Sequence, residues 1–185
     1  MRVIAGYAKG RELNAPKGLD TRPTLAKVKE AMFGMIQFDV EGSEVLDLFA
    51  GSGSLGIEAL SRGASHAVFC DLDRKAVSVV KDNLNRLGMT DLSEVIQGDS
   101  LKSLSLLKGR IFDIVFLDPP YKSGLESESL SLLDELGLLS DEAIVICEHS
   151  KDNPPVFTLN YTPREARKYG DSYLTYAVYS RKDEQ

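Results

Sequence analysis

Glu44-Val45-Leu46-Asp47-Leu48-Phe49-Ala50-Gly51-Ser52-Gly53-Ser54-Leu55-Gly56 reads as an apolar run, a glycine-rich loop and the start of a helical pattern. Glu44–Phe49 predicts a strand and Leu55–Ser61 a helix. The loop between them has the form G-x-G-x-x-G. Without side chains at Gly51 and Gly53 the backbone can turn tightly and approach a ligand closely. A strand, such a loop and a helix open a βαβ unit.

The same alternation continues outward from this stretch. Further strands are predicted at His66–Asp71, Ser93–Gln97, Phe112–Leu117 and Ala143–Glu148. Helical patterns fall at Arg74–Leu87 and Glu126–Leu139, where Leu130, Leu133, Leu136 and Leu139 recur every three residues. Strands alternating with helices predict a doubly wound, mostly parallel α/β sheet. Upstream, Pro23 and Thr24 mark a helix start for Leu25–Gln37. Downstream, Arg164–Tyr169 and Tyr173–Ser180 flank Gly170-Asp171 and predict a terminal antiparallel hairpin.

With 185 residues, 43% hydrophobic and 27% charged, the chain reads as one ordinary globular core, which excludes disorder and a disulfide scaffold. No run approaches the roughly 18 apolar residues of a bilayer span. The N-terminus lacks the apolar stretch of a signal peptide, and Lys182-Asp183-Glu184-Gln185 ends in Gln where a retention signal has Leu. Cys70 and Cys147 sit in apolar strands as reduced thiols would, so the expected compartment is the cytoplasm.

A net charge of −6 argues against a nucleic-acid partner when taken alone, but the charge is uneven. Residues 1–30 carry seven bases and three acids, whereas residues 31–163 carry 10 bases and 21 acids. A basic N-terminal extension, residues 1–40, thus precedes an acidic body, residues 41–185.

Asp71 ends the second strand 20 residues after Gly51, where a carboxylate can accept from both hydroxyls of a ribose. NAD and S-adenosylmethionine fit that pattern equally. Asp47 favours the second, because a carboxylate beside the loop suits an ammonium and a sulfonium and repels a pyrophosphate. Asp99, in Gly98-Asp99-Ser100, can accept from an adenine amine or cap a helix from Leu101, and the roles are compatible.

The fourth strand ends in Asp118-Pro119-Pro120-Tyr121. Two prolines force a rigid, extended turn without backbone donors. The Asp118 carboxylate and the Pro119 carbonyl can then both face the crevice above the strand ends, where open α/β sheets bind ligands. Paired acceptors suit the two hydrogens of a nucleobase amine, and Tyr121 offers a face for the extruded base. Gripping both hydrogens localises the nitrogen lone pair toward an incoming methyl group. His66, a strand start, and His149, a loop residue, lie far apart without ligand-like spacing, so no metal is expected.

With these residues in place the chain resembles the amino-methyltransferases that use S-adenosylmethionine. More narrowly, it resembles the bacterial small-subunit (16S) ribosomal RNA guanine-N2 methyltransferases of the RsmD type. The match includes Arg2-Val3-Ile4-Ala5-Gly6, Gly10-Arg11, Thr21-Arg22-Pro23-Thr24, the glycine loop, Gly56–Ala64, Asp118–Tyr121 and Tyr169-Gly170-Asp171. The resemblance implies a Rossmann-like class I methyltransferase fold with a seven-stranded sheet, ordered third, second, first, fourth, fifth strand and then the hairpin. Cys70 and Cys147 would then be separated by two strands and unable to pair. It also implies that Asp47, Gly51, Gly53, Asp71, Leu72, Asp99 and Ser100 hold S-adenosylmethionine. Asp118, Pro119 and Tyr121 would hold the guanine. Arg2, Lys9, Arg11, Arg22 and Pro120 would meet RNA, naked or in an assembling small subunit, with a monomer favoured. Two departures stand out: Asp71 occupies a position that is commonly Glu, and Lys27 and Lys29 occupy positions more usually Arg, which would give up bidentate phosphate contacts.

Three other readings fit parts of the pattern. A DNA adenine-N6 or cytosine-N4 methyltransferase shares the chemistry, but the chain has no evident separate sequence-reading domain. A non-catalytic binding module has no need of Asp118 and Tyr121. An NAD oxidoreductase lacks a visible acid/base pair for hydride transfer.

Overall fold

The computed structural model describes residues 1–16, 23–120, 123–164 and 166–181. Arg22, Tyr121 and the tail 182–185 lie outside the described residues. After the N-terminal segment come α1 (Pro23–Met35), β1 (Glu44–Asp47), α2 (Ser54–Ser61), β2 (His66–Asp71) and α3 (Arg74–Leu87). Then follow β3 (Ser93–Gln97), α4 (Ser100–Leu106), β4 (Phe112–Leu117), α5 (Leu125–Glu135) and β5 (Leu139–His149). The chain closes with β6 (Tyr161–Pro163), β7 (Arg167–Tyr169) and β8 (Ser172–Tyr179).

The sheet runs β3-β2-β1-β4-β5-β8-β6, with β7 also on β8. Its first five strands are parallel, and β8 lies antiparallel to β5. This is the expected doubly wound order, with eight segments where seven strands were expected. The extra one arises because β6 pairs with the end of β8 and β7 with its start, so two segments share one lane. The predicted hairpin turn holds: Tyr169 pairs with Ser172 across Gly170-Asp171.

Alternation along the central strands builds two cores. Val45, Phe69, Ile114, Phe116, Ile144 and Ile146 face α1, α2 and α3. Leu46, Val68, Cys70, Val115, Leu117 and Cys147 face α4 and α5. Cys70 and Cys147 are free and buried, on strands separated by β1 and β4. No helix among the described residues is long and apolar enough to cross a membrane.

Several boundaries differ from those predicted. The fifth helix ends at Glu135, because Gly137 takes a left-handed φ of 63° and Leu138 N–H bonds back to the Leu133 carbonyl. Leu139 therefore belongs to β5, which begins four residues before the predicted Ala143. β1 stops at Asp47 rather than Phe49 because the loop begins there. His149 is the last residue of β5, not a loop residue, and is buried with Nε2 2.8 Å from Thr175 Oγ1 and Nδ1 2.8 Å from the Ser150 carbonyl.

The N-terminal segment is part of the fold's core. Val3, Ala8 and Leu13 are buried with α1 against the sheet. Its anchor is Glu58 on α2, wholly buried, whose carboxylate accepts from Ile4 N–H (2.8 Å), Ala5 N–H (2.9 Å) and Arg62 Nε (2.9 Å). Lys29 Nζ lies 3.1 Å from the same carboxylate and donates to the Arg2 carbonyl at 2.9 Å. Lys29 is thus an internal cation, 4% exposed, and not the exposed phosphate contact implied for it. Glu58 holds it there because a buried ammonium needs a partner.

Candidate active site

The C-terminal ends of the parallel strands open into a cleft of about 840 Å³, within the roughly 300–1,000 Å³ of small-molecule sites. β1 and its loop form the floor, β2 and β3 one flank, and β4 and β5 the other. The N-terminal segment and α1 close the side over Asp47 with Met1, Arg2, Val28 and Met32. Sequence reading had given these segments no part in the wall.

Asp47, Gly51, Asp71, Leu72, Asp99, Ser100, Asp118, Pro119 and Pro120 all line this cleft. Gly53 lies within the loop as the residue before α2, with a left-handed φ of 76°. At Gly51, φ is 55° and a Cβ would meet nothing within 4 Å, so the backbone leaves the cleft open at this point. Gly56 answers to packing instead: a Cβ there would come within 2.3 Å of the Phe69 ring.

Asp47 is 2% exposed, and its carboxylate accepts from Gly56 N–H at 3.0 Å. Burial pushes its pKa up to about 7; the Gly56 bond lowers it and the Asp71 charge raises it. An arriving ammonium would reverse most of that penalty. Asp71 accepts from Gly51 N–H and Asp73 N–H, each at 2.8 Å. The shorter Asp side chain therefore ties the loop to β2, and each oxygen keeps a second lone pair for a ribose hydroxyl. Leu72 is 72% exposed at the rim, an apolar surface on which a purine ring can lie. Asp99 caps α4, accepting from Lys102 N–H at 3.1 Å, and lines the cleft as well. The two roles expected of it are geometrically compatible.

Across the cleft, Asp118 is open to solvent on one side and crowded by the strand ends behind. That crowding raises its pKa well above the usual carboxylate range, and the charges of Glu148, Asp47 and Glu126 raise it further. Pro119 is buried and Pro120 exposed, as a rigid turn leaving the strand requires. Sequence reading missed Glu148, which precedes the last residue of β5 and lines the cleft at 7% exposure. The signal was present: an acid ends that predicted strand, as Asp47 and Asp71 end theirs.

Arg2, Lys9 and Arg11 are exposed, with Arg11 donating to the Arg86 carbonyl at 3.2 Å. Only Arg2 of the three lines the cleft. Among the described residues no group of three or more His, Cys, Asp or Glu is arranged to hold a metal ion.

The glycine loop and the Asp-Pro-Pro turn thus line the same cleft. The family model described as "Conserved hypothetical protein 95" matches residues 1–178. The ribosomal RNA small subunit methyltransferase D of Haemophilus influenzae is 38% identical over 97% of this chain and 93% of its own. The chain belongs to the RsmD family. YlbH of Bacillus subtilis is 46% identical over 82% of this chain and 84% of its own. The solved structure of yhhF from Escherichia coli superposes with a TM-score of 0.89 at 32% identity, over 98% and 99% of the two chains. The fold of this family member is thus the Rossmann-like class I methyltransferase fold. A more distant structure, an RNA methyltransferase from Salinibacter ruber with bound S-adenosyl-L-homocysteine, has a TM-score of 0.66 at 18% identity over 90% and 97% of the chains. At that identity the likeness is one of fold.

Proposed function

We propose that this protein transfers a methyl group from S-adenosylmethionine to the exocyclic N2 amine of a guanine in small-subunit ribosomal RNA. The observation that carries the reading is the single cleft lined by Asp47, Gly51, Asp118 and Pro119 together. The family relationship to ribosomal RNA methyltransferase D supports the substrate class. The residues present fit the cofactor: a buried carboxylate for an ammonium, Asp71 for ribose hydroxyls, Leu72 and Asp99 for a purine, and a loop open at Gly51.

Bound there, S-adenosylmethionine supplies an electrophilic methyl group. Asp118 and the Pro119 carbonyl accept the two hydrogens of the target amine and so localise its lone pair. The raised proton affinity of Asp118 suits its carboxylate to take the proton that the amine loses. Tyr121 stacks on the base, and Pro120 keeps the turn rigid against the RNA. Arg2, Lys9, Arg11 and Arg22 bind phosphates, so residues 1–40 act as the RNA-contacting extension of a transferase formed by residues 41–185. The substrate is naked RNA or an assembling small subunit, and the enzyme is a cytoplasmic monomer.

The test is transfer of labelled methyl to small-subunit RNA, with the product mapped to a base atom. Asp118→Ala is expected to lower kcat by about 10²–10³-fold with cofactor affinity retained. Undiminished transfer by that variant would sink the mechanism, and methyl on adenine N6 or on DNA would sink the substrate.

A further inference from the structure

Glu148 is a carboxylate in the cleft to which the methyl-transfer chemistry assigns no task. β4 and β5 run parallel with Leu117 opposite Cys147, so Asp118 and Glu148 are the next pair along that register. Both line the cleft. Strand alternation puts Glu148 on the face of Ile144 and Ile146, toward α1, while Cys147 points to the opposite core. A nearly buried acid beside a second acid is costly to keep, and the Glu148 charge raises the proton affinity of Asp118.

The bases that carry an exocyclic amine differ at the ring atom next to it. In guanine one of the two ring nitrogens flanking the amine, N1, bears a hydrogen, while the other, N3, presents a lone pair. In adenine the neighbour is N1 and in cytosine N3, each presenting a lone pair. An ionised carboxylate can only accept. We infer that Glu148 is a specificity-determining residue that accepts N1–H of the target guanine while Asp118 and Pro119 hold the adjacent N2 amine. Adenine or cytosine in the same grip would set a lone pair against the carboxylate, leaving two buried acceptors facing each other. The inference rests on the proposed guanine-N2 reading and deepens it by stating what selects guanine.

The experiment first maps the methylated guanine and then places 2-aminopurine at that position in the same RNA. This analogue keeps the 2-amine but carries a lone pair at N1. The wild-type protein is expected to prefer guanine in kcat/KM by about 10²-fold or more, as sites built to hydrogen-bond a substrate group do. Glu148→Gln, whose carboxamide can donate to N1, is expected to lower the rate on guanine and narrow that preference at least about tenfold, a shift of roughly 1.4 kcal/mol. Calorimetric affinity for S-adenosylmethionine should not change. Glu148→Asp, which keeps an acceptor, should retain the preference at a reduced rate. Equal use of both RNAs by the wild-type protein overturns the inference whether or not the variants fold, as does Glu148→Gln with an unaltered preference. Methyl on adenine or cytosine in the wild-type product would overturn the underlying reading instead.

Discussion

Asp47 is a carboxylate where ionisation is expensive. Its pKa is pushed from 3.8 to about 7 by burial. Between those values the folded chain binds a proton that the unfolded chain has released, so stability falls as pH rises through the window. Above pH 7 the penalty is on the order of 4 kcal/mol, at about 1.4 kcal/mol per unit. Asp47→Asn is therefore expected to stabilise the ligand-free protein at pH 8, with little change at pH 4. Urea unfolding at the two pH values checks this, and equal effects at both would contradict it. The same substitution should weaken S-adenosylmethionine, because the ammonium loses its counter-charge. One residue thus exchanges stability of the empty fold for affinity of the filled one.

At the scale of elements, the decisive contact joins α2 to the N-terminal segment and α1. Glu58, fully buried, accepts from the partly buried Ile4, Ala5 and Arg62 and pairs with the nearly buried Lys29. Glu58→Gln leaves the Lys29 ammonium without a charge partner and removes one acceptor oxygen. The expected loss is about 3–5 kcal/mol, the usual result of breaking a buried pair. It should come with faster amide exchange at Val3 and Leu13. Substituting Lys29→Met as well should recover part of the loss. The sequence showed the helix that carries Glu58, and it showed Lys29 as a basic residue. It could not show that they meet, because the pairing is set by how the segment folds back over the sheet. The same holds for β6, three residues long, whose pairing depends on β8 and not on its own pattern. By contrast, β2, β3, β4 and α3 were legible to the residue, since strict periodicity and β-branched runs are local signals. Asp47, Asp71 and Asp118, which line the cleft, stood out in the sequence by their spacing to a motif: Asp47 four residues before Gly51, Asp71 20 residues after it, and Asp118 directly before two prolines. Glu148 stood at a strand end without such a flag.

At the scale of the whole molecule, net charge and charge layout point in opposite directions. The chain is acidic overall, yet Arg2, Lys9 and Arg11 are exposed on the segment that closes the cleft, and acids such as Asp47 and Asp118 are turned into it. Reversing those three bases to Glu is expected to weaken RNA binding and flatten its dependence on salt. The slope should fall by roughly 0.7–0.9 per lost phosphate contact. Cofactor affinity should hold if Arg2 meets the cleft only at its rim. A salt slope unchanged by the triple variant would remove this segment from the RNA-binding surface.

The attachments of the first sixteen residues also impose an order in time. Ile4 and Ala5 bond to Glu58, Ala8 to Ser61 and Asn14 to Asn83, partners 53 to 69 positions later in the chain. During synthesis at about 5–20 residues per second, this segment emerges several seconds before anything exists for it to bind. Val3, Ala8 and Leu13 stay exposed through that interval. This part of the cleft wall therefore waits for α2 and α3 before it can be set in place. A nascent chain arrested before α2 would carry this segment with none of these partners to hold it.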